Sequence, residues 1–136
     1  MPATHTKLLY HLVFSTKHRR SLITDELAIR LYPYLGGIIR SERGSLLEIG
    51  GMADHLHVLV RFRADIAVSR MLQMIKGSSS KWIHDTFPEL RAFEWQEGYG
   101  AFTASAQDVQ GLREYIQHQK DHHRVKTFQE EYVELL

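Results

Sequence analysis

The run Leu8 to Thr16, LLYHLVFST, is apolar, β-branched and aromatic, and it ends in the basic cluster Lys17-His18-Arg19-Arg20. This pattern predicts a first strand and a charged loop. Thr24 stands where a helix N-cap belongs, with Asp25 and Glu26 in the first turn and apolar Leu27, Ile29, Leu31 and Leu35 following, so a helix is expected to about Arg40, kinked or uncertain near Pro33. Ser45 to Met52 and His55 to Phe62 are two β-like runs joined at Ala53-Asp54, which reads as a hairpin with a bend or bulge at Gly50-Gly51. From Ile66 to Phe87, the positions Ile66, Met71, Met74, Ile75, Trp82 and Ile83 predict a second amphipathic helix, interrupted at Gly77-Ser78-Ser79-Ser80 and ended by Pro88. Tyr99 to Ser105 reads as a fourth strand. Gln107 to about His123 reads as a third helix with Val109, Leu112 and Ile116 as its core stripe, and Thr127 to Leu136 as a last short helix carrying Phe128, Tyr132 and Leu135.

Strand, helix, strand, strand, helix, strand, helix is the split βαβ order of an α+β, ferredoxin-like fold: an antiparallel sheet with helices on one face and an extra C-terminal helix. The other face is then left open for a ligand. Length allows one compact domain over residues 1–136, and with 43% hydrophobic and 24% charged residues it has the balance of a folded soluble protein. The absence of cysteine excludes disulfides, thiolate zinc sites and a cysteine nucleophile. No run approaches the ~18 apolar residues of a membrane helix and no secretory signal begins the chain, so a cytoplasmic location is expected, with neither a membrane partner nor a nucleotide cofactor.

A net charge of +1 gives little general support to nucleic-acid binding, so any such role has to rest on local patches. The unusual count is nine histidines. In Asp54-His55-Leu56-His57 the two imidazoles lie two residues apart on a strand and project from one face, while Leu56, Val58 and Val60 enter the other. Two parallel imidazoles can hold one divalent ion, and Asp54 is placed to orient one of them. Such a pair leaves open positions that suit Mg²⁺ or Mn²⁺ gripping a phosphate oxygen better than a closed zinc site.

A third ligand is expected from the third helix. Tyr115 and Gln119 are four residues apart, about 40° around a helix, so phenol and amide share a face. His122, about 20° from Tyr115, and His118, about 60° away, compete for the same role. A phenol has a pKa near ~10, yet it serves as nucleophile on a phosphodiester when a metal stabilises the developing charge. By itself Tyr115 would read as a boundary residue of an amphipathic helix.

The basic residues come in patches: Lys17 to Arg20, Arg61 with Arg63, Lys76 with Lys81, and Lys120, Arg124 and Lys126. Arg61 has the parity of His55 and His57, so it is expected on the same face, where it could meet a phosphate. Each patch by itself reads as a solvated edge, and the serine run between Lys76 and Lys81 reads equally as a packing break or as a source of donors to a DNA backbone. Lys17, Arg19, Arg20, Arg61, Lys76 and Ser78 are the candidates for DNA contact.

Over nearly its whole length the sequence resembles the single-tyrosine transposases of the IS200/IS605 insertion-sequence family, within the HUH endonuclease superfamily. The resemblance is carried, in order, by Tyr10-His11-Leu12-Val13-Phe14-Ser15-Thr16-Lys17-His18-Arg19-Arg20, by His55-Leu56-His57, by Lys76 to Ser79, and by Tyr115-Ile116-Gln117-His118-Gln119. It implies a homodimer acting on hairpins in single-stranded DNA. It implies a metal on His55, His57 and Gln119, and Tyr115 as the nucleophile that leaves a 5′-phosphotyrosine and a free 3′-hydroxyl. The resemblance is what favours Gln119 over His122. Ala53 departs from the family pattern, which has proline before the Asp/Asn-His pair.

A rolling-circle initiator or relaxase would share the chemistry but carries the tyrosine in a longer chain. A two-histidine phosphoesterase needs two separate His-X-Ser/Thr motifs. A non-enzymatic, ferredoxin-like nucleic-acid-binding module would place aromatic residues on the open face, where His55, His57 and Arg61 stand instead. A decayed, inactive transposase copy would keep all the motifs.

Overall fold

The computed structural model describes residues 3–122 and 127–136, without the side chains of Asp121 and His122. Its elements are β1 (Leu8–Ser15), α1 (Asp25–Ser41), β2 (Ser45–Met52), β3 (His55–Phe62), α2 (Val68–Thr86), β4 (Gly100–Ala104), α3 (Val109–Gln117), α4 (Gln119–His122) and α5 (Phe128–Leu135), with short 3₁₀ turns between some of them. The sheet order is β2-β3-β1-β4 and every pairing is antiparallel. This is the expected α+β, ferredoxin-like arrangement.

One face of the sheet carries Leu12, Phe14, Leu56, Val58 and Val60, which pack with Leu27, Leu31, Leu35 and Ile39 of α1 and Met71, Leu72, Ile75 and Ile83 of α2. Alternation puts the intervening residues on the opposite face. There Val13 stands across from His57 and Ser15 across from His55. That second face is not left bare, because α3 packs on β2 and β3 and α4 packs on β2. His55 and His57 are therefore fully buried.

Local signals held where packing agreed with them. Thr24 caps α1, its hydroxyl accepting from the Leu27 N–H at 3.1 Å. α1 runs on through Pro33 as one helix. The expected interruption of α2 at Gly77–Ser80 does not occur, because packing overrides weak helix propensity. Ser79 in that run is buried and accepts a hydrogen bond from Trp95 Nε1 at 3.0 Å.

The hairpin bulge lies between Leu46 and Glu48, not at Gly50-Gly51. The two glycines answer a different demand, close approach: a Cβ on Gly50 would stand 2.6 Å from the Ile116 carbonyl oxygen and one on Gly51 2.2 Å from the His55 carbonyl oxygen. The third helix is also not continuous. It breaks at His118, where φ is −103° and ψ 27°, and a new turn, α4, starts at Gln119.

Candidate active site

β3 presents His55 and His57 to the covered face because they alternate with the core residues Leu56 and Val58. The two rings are edge-on, with centroids 5.1 Å apart. Asp54, in the turn before β3, holds His55 from behind, with Oδ1 2.7 Å from Nδ1, so Nε2 is aimed forward. His57 is held from behind by a residue of β1, since His11 Nε2 lies 2.8 Å from His57 Nδ1.

α3 brings Tyr115 to the same place, its ring 5.6 Å from that of His57 in the same chain. After the break at His118, α4 points Gln119 inward, with Oε1 3.0 Å from His55 Nε2. Gln119 is buried. His55, His57, Tyr115 and Gln119, singled out from spacing and family resemblance, thus meet in one cluster with Asp54 behind it. The side chain of His122 lies outside the described residues, as do Arg124 and Lys126.

Two members of the cluster were not read from the sequence. One is His11, which stands in the motif Tyr10 to Arg20 that carries the resemblance, although the resemblance assigns it no role of its own. The other is Glu131 of α5, 3% exposed, whose carboxylate stands at the centre. Its Oε1 is 3.1 Å from His57 Nε2 and 3.3 Å from His55 Nε2, while its Oε2 accepts from Gln119 Nε2 at 2.8 Å and from the Tyr115 hydroxyl. The signal was present: Phe128, Tyr132 and Leu135 form an apolar stripe, and Glu131 occupies the one remaining position of its i, i+3, i+4, i+7 pattern. Phe128 itself stacks on His55 with centroids 4.1 Å apart. It also lines, with Ser15, Gln96, Tyr99 and Tyr132, a cavity of about 210 Å³.

Electrostatics follow from this burial. Desolvation alone would lower the His55 pKa, but hydrogen bonds to Asp54, Glu131 and Gln119 outweigh it and raise the value to about 9. Burial likewise opposes charge on Glu131, yet its contacts with His55 and His57 hold the carboxylate ionised and its pKa well below the usual range. Burial, reinforced by the bond to Glu131, pushes the Tyr115 phenol above its ordinary value. His55, His57 and Glu131 offer ligand atoms within 4.8 Å of one another, a group that could hold a metal ion.

The basic residues are spread over several elements, and the turn after β1 is tied to the histidine strand. Thr16 donates its N–H to the Asp54 carbonyl at 2.9 Å, which sets the turn Lys17–Arg20 beside the histidine strand. In that turn His18 and Arg19 adopt positive φ, Lys17 pairs with Glu94 at 2.9 Å, and Arg19 and Arg20 are exposed. Arg61 sits four residues along β3 from His57 and donates to the Thr6 carbonyl at 3.1 Å. Lys76 is half-buried and donates to the carbonyls of Gln96 and Gly98 at 2.7 and 2.8 Å, anchoring the loop that lines the cavity. The Ser78 carbonyl accepts from the Tyr34 hydroxyl at 3.5 Å.

Comparison with known proteins decides the family. The model of the family described as "Transposase IS200 like" matches residues 4–119. The chain belongs to this family. This IS200-like transposase is 29% identical over 116 residues to the transposase for insertion sequence element IS200 of Salmonella typhimurium, covering 81% of this chain and 75% of that one. It is 25% identical over 120 residues to the ISDra2 transposase TnpA of Deinococcus radiodurans, covering 85% and 86%. Among solved structures, a protein of Deinococcus radiodurans R1 assigned as a transposase superposes with a TM-score of 0.73 at 26% identity, covering 88% of this chain and 95% of that one. A REP-associated tyrosine transposase bound to a REP hairpin superposes at 0.66 with 16% identity, covering 90% and 73%, and so shares the fold. No helix among the described residues of this transposase is long and apolar enough to cross a membrane.

Proposed function

We propose that this IS200-like transposase cleaves and rejoins single-stranded DNA at the ends of an insertion sequence, with Tyr115 as nucleophile. The observation that carries the reading is the convergence of the Tyr115 hydroxyl with both imidazoles and the Gln119 amide in one buried cluster. Two imidazole nitrogens and an amide oxygen, with carboxylates close by, form a donor set that fits a divalent ion such as Mg²⁺ or Mn²⁺. His55, His57 and Gln119 would hold it. When bound, the ion supplies Lewis-acid polarisation of the scissile phosphate and offsets the charge that builds on it.

The chain's own groups do the rest. Asp54 fixes the ring of His55, so that Nε2 faces the site. α3 sets the phenol beside the histidines of its own chain. As the Tyr115 oxygen gives up its proton and bonds to phosphorus, the bond from phosphorus to the 3′ oxygen breaks and that oxygen takes up one proton, so the exchange is neutral overall. The products are a 5′-phosphotyrosine and a free 3′-hydroxyl, and the covalent link conserves the bond energy for rejoining.

Lys17, Arg19, Arg20, Arg61, Lys76 and Ser78 are proposed to meet the DNA backbone. The exposed pair Arg19 and Arg20 is best placed, because its turn adjoins Asp54. A hairpin in single-stranded DNA is the proposed substrate, in keeping with the hairpin held by a protein of the same fold, and a homodimer the proposed assembly.

The test is to incubate the protein with Mn²⁺ or Mg²⁺ and single-stranded DNA carrying the hairpin ends found beside its gene, and to look for a covalent adduct on denaturing gels. An adduct that requires metal and is lost in Tyr115→Phe is expected. Hairpin binding without an adduct under any metal would overturn the catalytic reading and leave a binding module or a decayed copy.

A further inference from the structure

Glu131 lies beyond residues 4–119, the span that matches the family, yet it touches every group assigned to the chemistry. Its two oxygens face different neighbours. Oε1 is turned to His55 Nε2 and His57 Nε2, and Oε2 to the Tyr115 hydroxyl and the Gln119 amide N–H. We propose that Glu131 joins the two halves of the site: Oε1 is a ligand of the divalent cation beside His55 and His57, and Oε2 holds and aims the Tyr115 hydroxyl. This rests on the transposase reading above.

The charge balance of the ligands supports the first half. Two neutral imidazoles and a neutral amide give a hard divalent ion no anionic partner, whereas Mg²⁺ is ordinarily bound through one or two carboxylates. Among the described residues, Glu131 is the carboxylate that shares ligand distance with both histidines. The separations agree. Ligands about 2.1 Å from a common ion and adjacent to one another stand roughly 3.0–3.4 Å apart, and Oε1 is 3.1 and 3.3 Å from the two imidazole nitrogens, with Gln119 Oε1 3.0 Å from His55.

Burial and docking support the second half. A carboxylate 3% exposed is costly unless its partners compensate it. α5, capped at its own start by Thr127, is held over the site by a contact other than Glu131, because Phe128 stacks on His55. α5 therefore delivers the carboxylate to a fixed place, and the oxygen that is not turned to the imidazoles reaches the nucleophile. A phenol held by this acceptor keeps its oxygen next to the cation's position, so metal and nucleophile are registered to each other through one side chain.

The test measures Mn²⁺ binding without DNA, by electron paramagnetic resonance of the free ion, for the wild type, Glu131→Gln, Glu131→Asp and Gln119→Ala. Glu131→Gln is expected to lose at least about tenfold in affinity, more than Gln119→Ala loses, and Glu131→Asp to lie between Glu131→Gln and wild type. Unchanged or tighter binding by Glu131→Gln would overturn the ligand role and make Glu131 a mere occupant of the cation's place. If Glu131→Gln does not fold by circular dichroism, Glu131→Asp alone decides, with weaker binding expected and unchanged binding overturning the proposal. At saturating Mn²⁺, Glu131→Gln is expected to form the DNA adduct at least about tenfold more slowly with KM for DNA unchanged; full recovery of rate would overturn the aiming role. Failure of the wild type to form any adduct would sink the transposase reading, while the Mn²⁺ titration would still decide the ligand.

Discussion

His11 Nε2 stands 2.8 Å from His57 Nδ1, between neighbouring strands β1 and β3. His11 is opposite Leu59 in the register, so the pair is diagonal, a separation that long and aromatic side chains bridge. Burial, reinforced by His57, lowers the His11 pKa to about 4, so the ring is neutral near pH 7. A neutral ring can accept at Nε2 from His57 Nδ1–H, while His57 Nε2 faces the Glu131 carboxylate at 3.1 Å. His11 is thus a positioning residue that fixes the orientation of the His57 ring.

Replacing it with phenylalanine keeps a ring and removes the acceptor. His11→Phe is expected to weaken Mn²⁺ binding by about tenfold with secondary structure unchanged, as read by titration and circular dichroism. Wild-type affinity in His11→Phe would show that the contact orients nothing.

Gly50 lets α3 approach the sheet. A Cβ there would lie 2.6 Å from the Ile116 carbonyl oxygen and 3.0 Å from its Cγ2, and backbone cannot yield as a flexible side chain does. Ile116 follows Tyr115, so pushing α3 outward moves the nucleophile. Gly50→Ala is expected to slow adduct formation by about 100-fold, the cost of a displacement near 1 Å, while Mn²⁺ binding falls far less. Equal losses in both would show that the whole site, not the helix alone, had shifted.

Much of this site was legible because alternation is strict in β3. A period of two with Leu56, Val58 and Val60 buried on one side leaves no choice about where His55 and His57 point, and the Ser45–Met52 and His55–Phe62 bounds follow from the same pattern. Gly77–Ser80 misled for the opposite reason. Its propensity argues against helix, but the buried Ser79 to Trp95 contact is tertiary and invisible locally. The break at His118 has no proline or glycine to announce it. Glu131 was hidden by its type, since a glutamate on a short terminal helix reads as solvated until its place in the Phe128–Tyr132–Leu135 stripe is weighed. Which face of the sheet that stripe covers is a question of tertiary docking.

Ser79 gives a prediction about stability alone. Its hydroxyl accepts from Trp95 Nε1 and it is fully buried. Ser79→Ala leaves the indole N–H without that acceptor and is expected to cost about 1–3 kcal/mol, measured as a lower denaturation midpoint at unchanged slope. A loss below about 0.5 kcal/mol would mean that the indole N–H finds another partner. Neither Mn²⁺ affinity nor adduct rate should change, because Ser79 lies on the core side of the sheet.

Tyr32 sets an alkaline limit. Burial, with a smaller contribution from Asp25, raises its phenol to about 12 from an ordinary 10.0. Between those values the unfolded chain has released the proton and the folded chain still holds it. The folded state therefore binds more protons there, and stability falls as pH rises. The contribution is intact below pH 10 and is lost progressively toward 12, by about 3 kcal/mol in all. Tyr32→Phe cannot ionise, so the difference in unfolding free energy between wild type and variant should grow in the variant's favour from pH 9.5 to 11.5 (roughly the interval set by the two pKa values). Tyr115 also ionises late and is common to both proteins, so it cancels in the difference. A constant difference across that range would mean that Tyr32 titrates in the folded chain as it does in the unfolded one.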